Sequence, residues 1–196
     1  MGKSVNQSMR DDVLSLFRSS GALLEGHFKL SSGLHSGGYL QCALVLQHPA
    51  HAEKLGQALG AQLKSLGATK VLSPALGGLI IGHEVARALD LPAIFAERAD
   101  GKLTLRRGFS LSAADRVVVI EDVVTTGGST RETMDVAAAA GATVVGAGSI
   151  IDRSGGNPNL SVPFHALVTL SLPTYEPDKC PMCAQGSAVT KPGSRS

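Results

Sequence analysis

Two rhythms of apolar positions run along the chain. Val13, Leu14, Leu16 and Phe17 form a stripe at helical spacing, and Leu55, Leu59, Leu63 and Leu66 form a second. Ser8-Met-Arg-Asp11 has the spacing of a capping box and Gly21 is a stop, so the first stripe predicts an N-terminal helix; the second predicts a helix over 50–66. Between them, 25–41 is dense in glycine and serine, with short Phe-Lys-Leu and Tyr-Leu-Gln pieces that read as a β-hairpin. Such a segment builds no core and suits a cap over a site. From Lys70 the rhythm becomes strand, glycine loop, helix: a strand at 70–73, a loop at 74–78 and a helix at 79–89. Strands follow at 91–97 and, after a turn at 98–102, at 103–109, where alternation suggests a return strand. Val117 to Ile120 is an uninterrupted β-branched run, suited to a strand buried on both faces. A helix to about Ala140, stopped by Gly141, and strands at 143–151 and 165–172 complete the series. Repeated βα units predict an α/β fold: a parallel sheet flanked by helices on both faces.

The chain has 196 residues, the size of one domain with a sizeable core. It divides into an N-terminal helix and cap at 1–45, an α/β core at 46–172 and a polar tail at 173–196. A net charge of +2 gives no argument for nucleic acid or a membrane surface as partner. No apolar run reaches the roughly 18 to 20 residues of a membrane span, and 1–10 lacks a secretory apolar region. A cytoplasmic enzyme is the expectation.

The chemistry concentrates at 116–135. Glu121 and Asp122 stand at the carboxyl end of the buried strand, where open α/β sheets bind ligands. Thr125, Thr126, Gly127, Gly128, Ser129 and Thr130 follow, small residues whose backbone N–H groups can face an anion at a helix N-terminus. Carboxylates on one side and an anion cradle on the other match a phosphorylated sugar. No lysine follows Gly127 or Gly128 and no Gly-x-Gly-x-x-Gly opens the helix, which argues against the common nucleotide loops. The loop at 74–78 repeats the strand–glycine–helix arrangement and should face the same crevice. Lys102, Arg106 and Arg107 give the 98–109 excursion a positive charge, suited to a departing pyrophosphate.

Val-Val-Val-Ile-Glu-Asp-Val-Val-Thr-Thr-Gly-Gly-Ser-Thr (117–130) resembles the phosphoribosyl-pyrophosphate signature of type I phosphoribosyltransferases. Phe-Lys-Leu-Ser-Ser-Gly-Leu-His-Ser (28–36), followed by Tyr-Leu-Gln, resembles the N-terminal hood of the orotate phosphoribosyltransferases, and similar tails with Cys-x-x-Cys and a closing Lys-Pro-Gly-Ser-Arg occur in one bacterial branch of them. The resemblance covers nearly the whole chain from Glu25. It implies the type I fold with a small N-terminal hood, and transfer of ribose 5-phosphate from phosphoribosyl pyrophosphate to orotate, giving orotidine 5′-monophosphate and pyrophosphate. It also implies Mg²⁺ held mainly by the substrate, with no confident side-chain metal ligand, and a homodimer with shared sites.

The resemblance further assigns roles. Glu121 and Asp122 hold the ribose hydroxyls, and Val123, Val124, Thr125, Thr126, Gly127, Gly128 and Ser129 the 5-phosphate. The loop containing Leu76 and Gly77 holds pyrophosphate through backbone N–H groups, with a non-proline cis peptide within 75–78. Arg98 and Lys102 assist loop closure and pyrophosphate departure, so Lys102 and Asp122 are the catalytic candidates. Arg153 clamps the orotate carboxylate, and Thr125 can also reach the base. Ser31, Ser32 and Tyr39 are hood candidates; many members have lysine where this chain has Ser31.

Cys180-x-x-Cys183 offers half a zinc site or a redox pair; with only Cys42 remaining one chain cannot supply four cysteines, although two chains could. A reduced pair in a tail turn is the expected state. The rival functions are a purine phosphoribosyltransferase, a non-catalytic sensor of phosphoribosyl pyrophosphate and a general nucleotide-binding domain.

Overall fold

The structure, a computed structural model, describes residues 5–30 and 32–191. Helix α1 (Val5–Ser19) buries Val13 and Phe17 against the core. It already runs at Val5, so Ser8 and Asp11 lie inside the helix and do not cap it. Its end is the expected one: Gly21 takes φ 68 and the Ala22 N–H returns to the Phe17 carbonyl at 2.8 Å.

Strands β1 (Leu23–Lys29) and β2 (His35–Leu40) form the hairpin of the hood, antiparallel with Leu24 opposite Tyr39. A short helix, α2 (Cys42–Leu46), leads into α3 (Pro49–Leu63), which a 3₁₀ turn extends to Leu66. The core then alternates: β3 (Lys70–Pro74), α4 (Gly78–Leu89), β4 (Ala93–Ala99), β5 (Lys102–Leu105), β6 (Arg116–Val124), α5 (Gly128–Ala139), β7 (Thr143–Asp152) and β8 (Phe164–Thr169). The sheet order is β5-β4-β3-β6-β7-β8. Every pairing in this sheet is parallel except β4–β5, the antiparallel edge that the return strand implies. The cause is local. Asp100 and Gly101 both take positive φ, 51 and 81, and close a tight hairpin. The return strand stops at Leu105 rather than Phe109, because Arg107 and Gly108 also take positive φ.

The period of two along β6 assigns its faces. Val118 and Ile120 join Leu55, Leu59, Ile81 and Val85 on the α3–α4 side, whereas Val117 and Val119 pack with Met134 and Ala137 of α5. From β3 the chain moves outward to β4, and it then returns to place β6 on the other side of β3. The loops after β3 and β6 therefore diverge from one topological switch point, where a crevice opens at the strands' carboxyl ends.

The tail does not stand apart. Strand β9 (Thr174–Tyr175) pairs with β2, making the hood a three-stranded sheet in the order β1-β2-β9. The Ser36 hydroxyl donates to the Pro173 carbonyl at 3.1 Å, and Lys29 and Thr190 lie in backbone contact. Helix α6 (Pro181–Ala184) then sets Cys180 and Cys183 one turn apart.

Candidate active site

β6 carries both acids further than a strand-end reading implies. Glu121 and Asp122 lie within the strand, which continues to Val124, and Glu121 pairs in register with Ser149 of β7. Glu121 accepts a 2.5 Å hydrogen bond from the Thr130 hydroxyl on α5. Burial pushes its carboxyl up to about 7; the Asp122 charge adds to this and the Thr130 hydrogen bond opposes it. Burial also raises Asp122, against the 2.9 Å hydrogen bond from the Val123 N–H. Neither acid has an ion-pair partner among the described residues. The sheet holds two desolvated carboxylates at its carboxyl edge without a cation to compensate them.

The loop after β3 meets them. A Cβ built on Gly77 would lie 2.8 Å from the Asp122 Oδ1 atom, so any other residue there would push the Asp122 carboxylate aside. The Ala75–Leu76 peptide is cis, as the family resemblance implies, and the Leu76 side chain is 81% exposed. On the other side, the loop after β6 turns at Gly127, whose φ of 73 would strain any other residue. No side chain caps α5, which leaves first-turn N–H groups beside the exposed Thr125, Thr126, Gly128 and Ser129. The cradle and the acids thus occupy neighbouring parts of one crevice.

Arg153 follows β7, and its backbone N–H donates to the Val124 carbonyl at 2.7 Å. Its guanidinium is half-buried, which lowers its pKa, and its Nε has no hydrogen-bond partner. A single long 3.4 Å hydrogen bond from Nη2 reaches the Leu172 carbonyl. The neighbouring Asp152 does not pair with it. That carboxylate is buried and accepts from the Ser154 N–H and hydroxyl (2.7 and 2.6 Å) and the Gly156 N–H (2.9 Å), which fixes the turn after β7.

The loop cations separate into two groups. Arg98 is engaged: it forms a two-pronged pair with Glu132 of α5, at 3.1 and 2.8 Å, and donates to the Gly101 carbonyl at 2.8 Å. Arg106 and Arg107 both face Glu97, at 3.7 and 2.9 Å. Lys102 begins β5, is exposed, and has no ion-pair partner among the described residues. Of the four, Lys102 is the one presented without a counter-charge. Ser31 lies outside the described residues; Ser32 is exposed, and Tyr39 is partly buried with its ring 6.1 Å from that of Phe28.

Sequence reasoning missed Thr130 as the partner of Glu121 and Glu132 as the partner of Arg98. Thr130 was within reach, since it stands in the same contiguous motif. Counting cysteines excluded a four-cysteine site in one chain but did not consider histidines: His27, His35, Cys180 and Cys183 bring four ligand atoms within 4.8 Å of one another, far along the chain from the acids.

Residues 45–169 match the phosphoribosyl transferase domain family. The chain is 50% identical over 186 residues to an orotate phosphoribosyltransferase of Pelotomaculum thermopropionicum, covering 95% of this chain and 98% of that protein. It is 52% identical over 186 residues to the enzyme of the same name from Carboxydothermus hydrogenoformans, covering 94% and 97%. Among solved structures, the orotate phosphoribosyltransferase of Aeropyrum pernix superposes with a TM-score of 0.68 at 27% identity, covering 81% of this chain and 93% of that one.

Proposed function

The chain belongs to the orotate phosphoribosyltransferases of the phosphoribosyl transferase family, and we propose how its crevice divides the work of the reaction. The enzyme transfers ribose 5-phosphate from phosphoribosyl pyrophosphate to orotate, forming orotidine 5′-monophosphate and pyrophosphate. As the bond at the sugar's C1 breaks, positive charge develops on the ring and negative charge on pyrophosphate. Glu121 and Asp122 accept hydrogen bonds from the ribose hydroxyls and favour the cationic ring. Their partial burial, with no ion-pair partner among the described residues, suits that role, because a partly desolvated carboxylate interacts more strongly with developing charge. The 5-phosphate lies against the N–H groups and hydroxyls from Val123 to Ser129. Pyrophosphate faces the backbone of Leu76 and Gly77, and Lys102 meets its growing charge.

The observation that carries the base assignment is Arg153, a half-buried guanidinium with an unpartnered Nε beside the acid-bearing strand. Orotate has a carboxylate, and the planar fork of arginine holds a carboxylate with two parallel hydrogen bonds. A purine base offers no such group. Thr125, exposed at the start of the cradle, also faces the base.

Mg²⁺ is the proposed cofactor. Glu121 and Asp122 are hard oxygen donors, which fits the ion, but two carboxylates cannot fill an octahedron, so substrate oxygens would supply most of its ligands. Bound there, the ion neutralises pyrophosphate charge. We also propose a cytoplasmic homodimer. Among the described residues no helix is long and apolar enough to cross a membrane, and the exposed Leu76 and Ile80 offer apolar surface that a second copy would cover.

The test mixes the protein with phosphoribosyl pyrophosphate, Mg²⁺ and orotate and follows orotate absorbance. Loss of the band dependent on all three components supports the reading. Turnover of a purine base, with orotate untouched, would overturn the role of Arg153.

A further inference from the structure

The hood and the tail meet at a cluster that the transfer reaction does not use. His27 lies in β1, His35 opens β2, and Cys180 and Cys183 flank the start of α6. His27, His35 and Cys180 are buried, with 5%, 6% and 3% exposure, and Cys183 reaches the surface. Their donor atoms face inward on one another. His27 Nε2 is 2.9 Å from His35 Nδ1, 3.5 Å from Cys180 Sγ and 3.7 Å from Cys183 Sγ, and Cys183 Sγ is 3.3 Å from His35 Nδ1. Both cysteines are free thiols.

We propose that these four residues form a structural zinc site that ties the tail to the hood. A tetrahedron with metal–nitrogen bonds of about 2.0–2.1 Å and metal–sulfur bonds of about 2.3 Å has nitrogen–sulfur edges near 3.5 Å. The three observed nitrogen–sulfur separations, 3.3, 3.5 and 3.7 Å, bracket that value. Two thiolates and two imidazoles form a closed, borderline-soft donor set that favours zinc over Mg²⁺ or Ca²⁺. Two thiolates also balance the charge of Zn²⁺, so the cluster can be buried as a neutral unit. Proton release accompanies binding: each thiol loses its S–H proton to solvent as its sulfur bonds to the metal.

The ring of His27 is oriented for this. Its Nδ1 lies 2.9 Å from the Ser187 carbonyl, which can only accept, so Nδ1 carries the proton and Nε2 presents a lone pair to the cluster. Ser187 belongs to the tail, so the orienting hydrogen bond and two of the ligands come from the same segment. A disulfide between the two cysteines, the competing reading of Cys-x-x-Cys, gives no reason for two imidazole nitrogens to converge on both sulfurs. With zinc bound, β1, β2 and α6 share one anchor beside the β2–β9 pairing. None of the four residues has a role in the transfer reaction, so the site is independent of the assignment of orotate.

The experiment is elemental analysis of the tag-free protein, followed by cobalt titration of the metal-stripped, reduced chain. The expected result is one zinc per chain, falling at least about tenfold in Cys183→Ala, since removing a ligand from a structural site removes most of its affinity. Cobalt should give the intense visible bands of tetrahedral coordination and a thiolate-to-metal charge-transfer band. If Cys183→Ala does not fold by circular dichroism, the cobalt spectrum of the unaltered chain decides alone. Absence of zinc in the native protein together with a pale octahedral cobalt spectrum overturns the site. So does zinc that persists at one per chain in folded Cys183→Ala.

Discussion

The crevice and the hood–tail junction both gather titratable side chains, and they do so in opposite ways. In the crevice the groups are left wanting: Glu121 and Asp122 are partly buried with no ion-pair partner among the described residues, and Arg153 keeps a buried Nε unpartnered. Each lies at the carboxyl end of a parallel strand or just beyond it. At the junction, four donor atoms close on one another within 4.8 Å. An unsatisfied, open constellation stores interaction for a ligand that comes and goes. A converged, closed one suits a resident ion. Functional and structural polar clusters in this protein therefore differ in whether their ligand atoms converge on one point.

Variants that should act on one region alone sharpen that comparison. The largest effect is expected from Asp122→Asn, which removes a buried charge from the developing cationic ring. Its kcat/KM for phosphoribosyl pyrophosphate should fall roughly 10²–10³-fold, with metal content unchanged by elemental analysis. A normal rate in this variant would break the account of the crevice. Cys183→Ala is the converse. It should lower the melting temperature by roughly 4 °C or more, about 1–2 kcal/mol at the transition for a domain of this size, while phosphoribosyl-pyrophosphate binding survives. Equal melting curves with and without a chelator would contradict a structural ion.

The pH dependence gives a finer test. Glu121 has its carboxyl raised to about 7 from an ordinary 4.5. The folded, ligand-free protein thus holds a proton that the unfolded chain releases across that window. Its contribution to stability is present at low pH and is lost as pH rises from 4.5 through 7. Substrate binding runs the other way, because the ribose hydroxyls need the ionised form. The kcat/KM for phosphoribosyl pyrophosphate should decline as pH falls through about 7. Thr130→Val removes the 2.5 Å hydrogen bond that favours the carboxylate, and should move this limb upward by up to about one pH unit. The substrate's own phosphate ionisation does not move with the variant, so an unmoved limb would assign the titration to the substrate. The smallest effect is expected from Glu132→Gln. The Arg98–Glu132 pair is half-exposed and screened, so its loss should leave the denaturant unfolding midpoint nearly unchanged.

Much of the crevice was legible because its chemistry is contiguous. One run from Val117 to Thr130 holds the buried strand, both acids and the anion cradle, and the β3 loop repeats the same grammar. Arg153 was legible through resemblance, but only the fold shows that Asp152 turns away to bind Ser154 and Gly156 and leaves the guanidinium unpaired. Arg98 reads in the sequence as a loop cation that assists pyrophosphate departure. Its partner Glu132 lies on a helix after another strand, and no local pattern joins them. The junction was least legible. His27 and His35 sit on adjacent strands of one hairpin, while Cys180 and Cys183 arrive at the far end of the chain through β2–β9 pairing. Counting cysteines without asking which histidines the tail would meet hid a four-ligand set.

The central claim is that Arg153 selects orotate by its carboxylate. Its most direct test is the pair of KM values, for orotate and for phosphoribosyl pyrophosphate, measured in Arg153→Ala. The account predicts a rise of roughly 10²-fold in the orotate KM, about 3 kcal/mol for losing one side of a desolvated charge pair, with the phosphoribosyl-pyrophosphate KM nearly unchanged. An orotate KM within about twofold of the unaltered enzyme would contradict it.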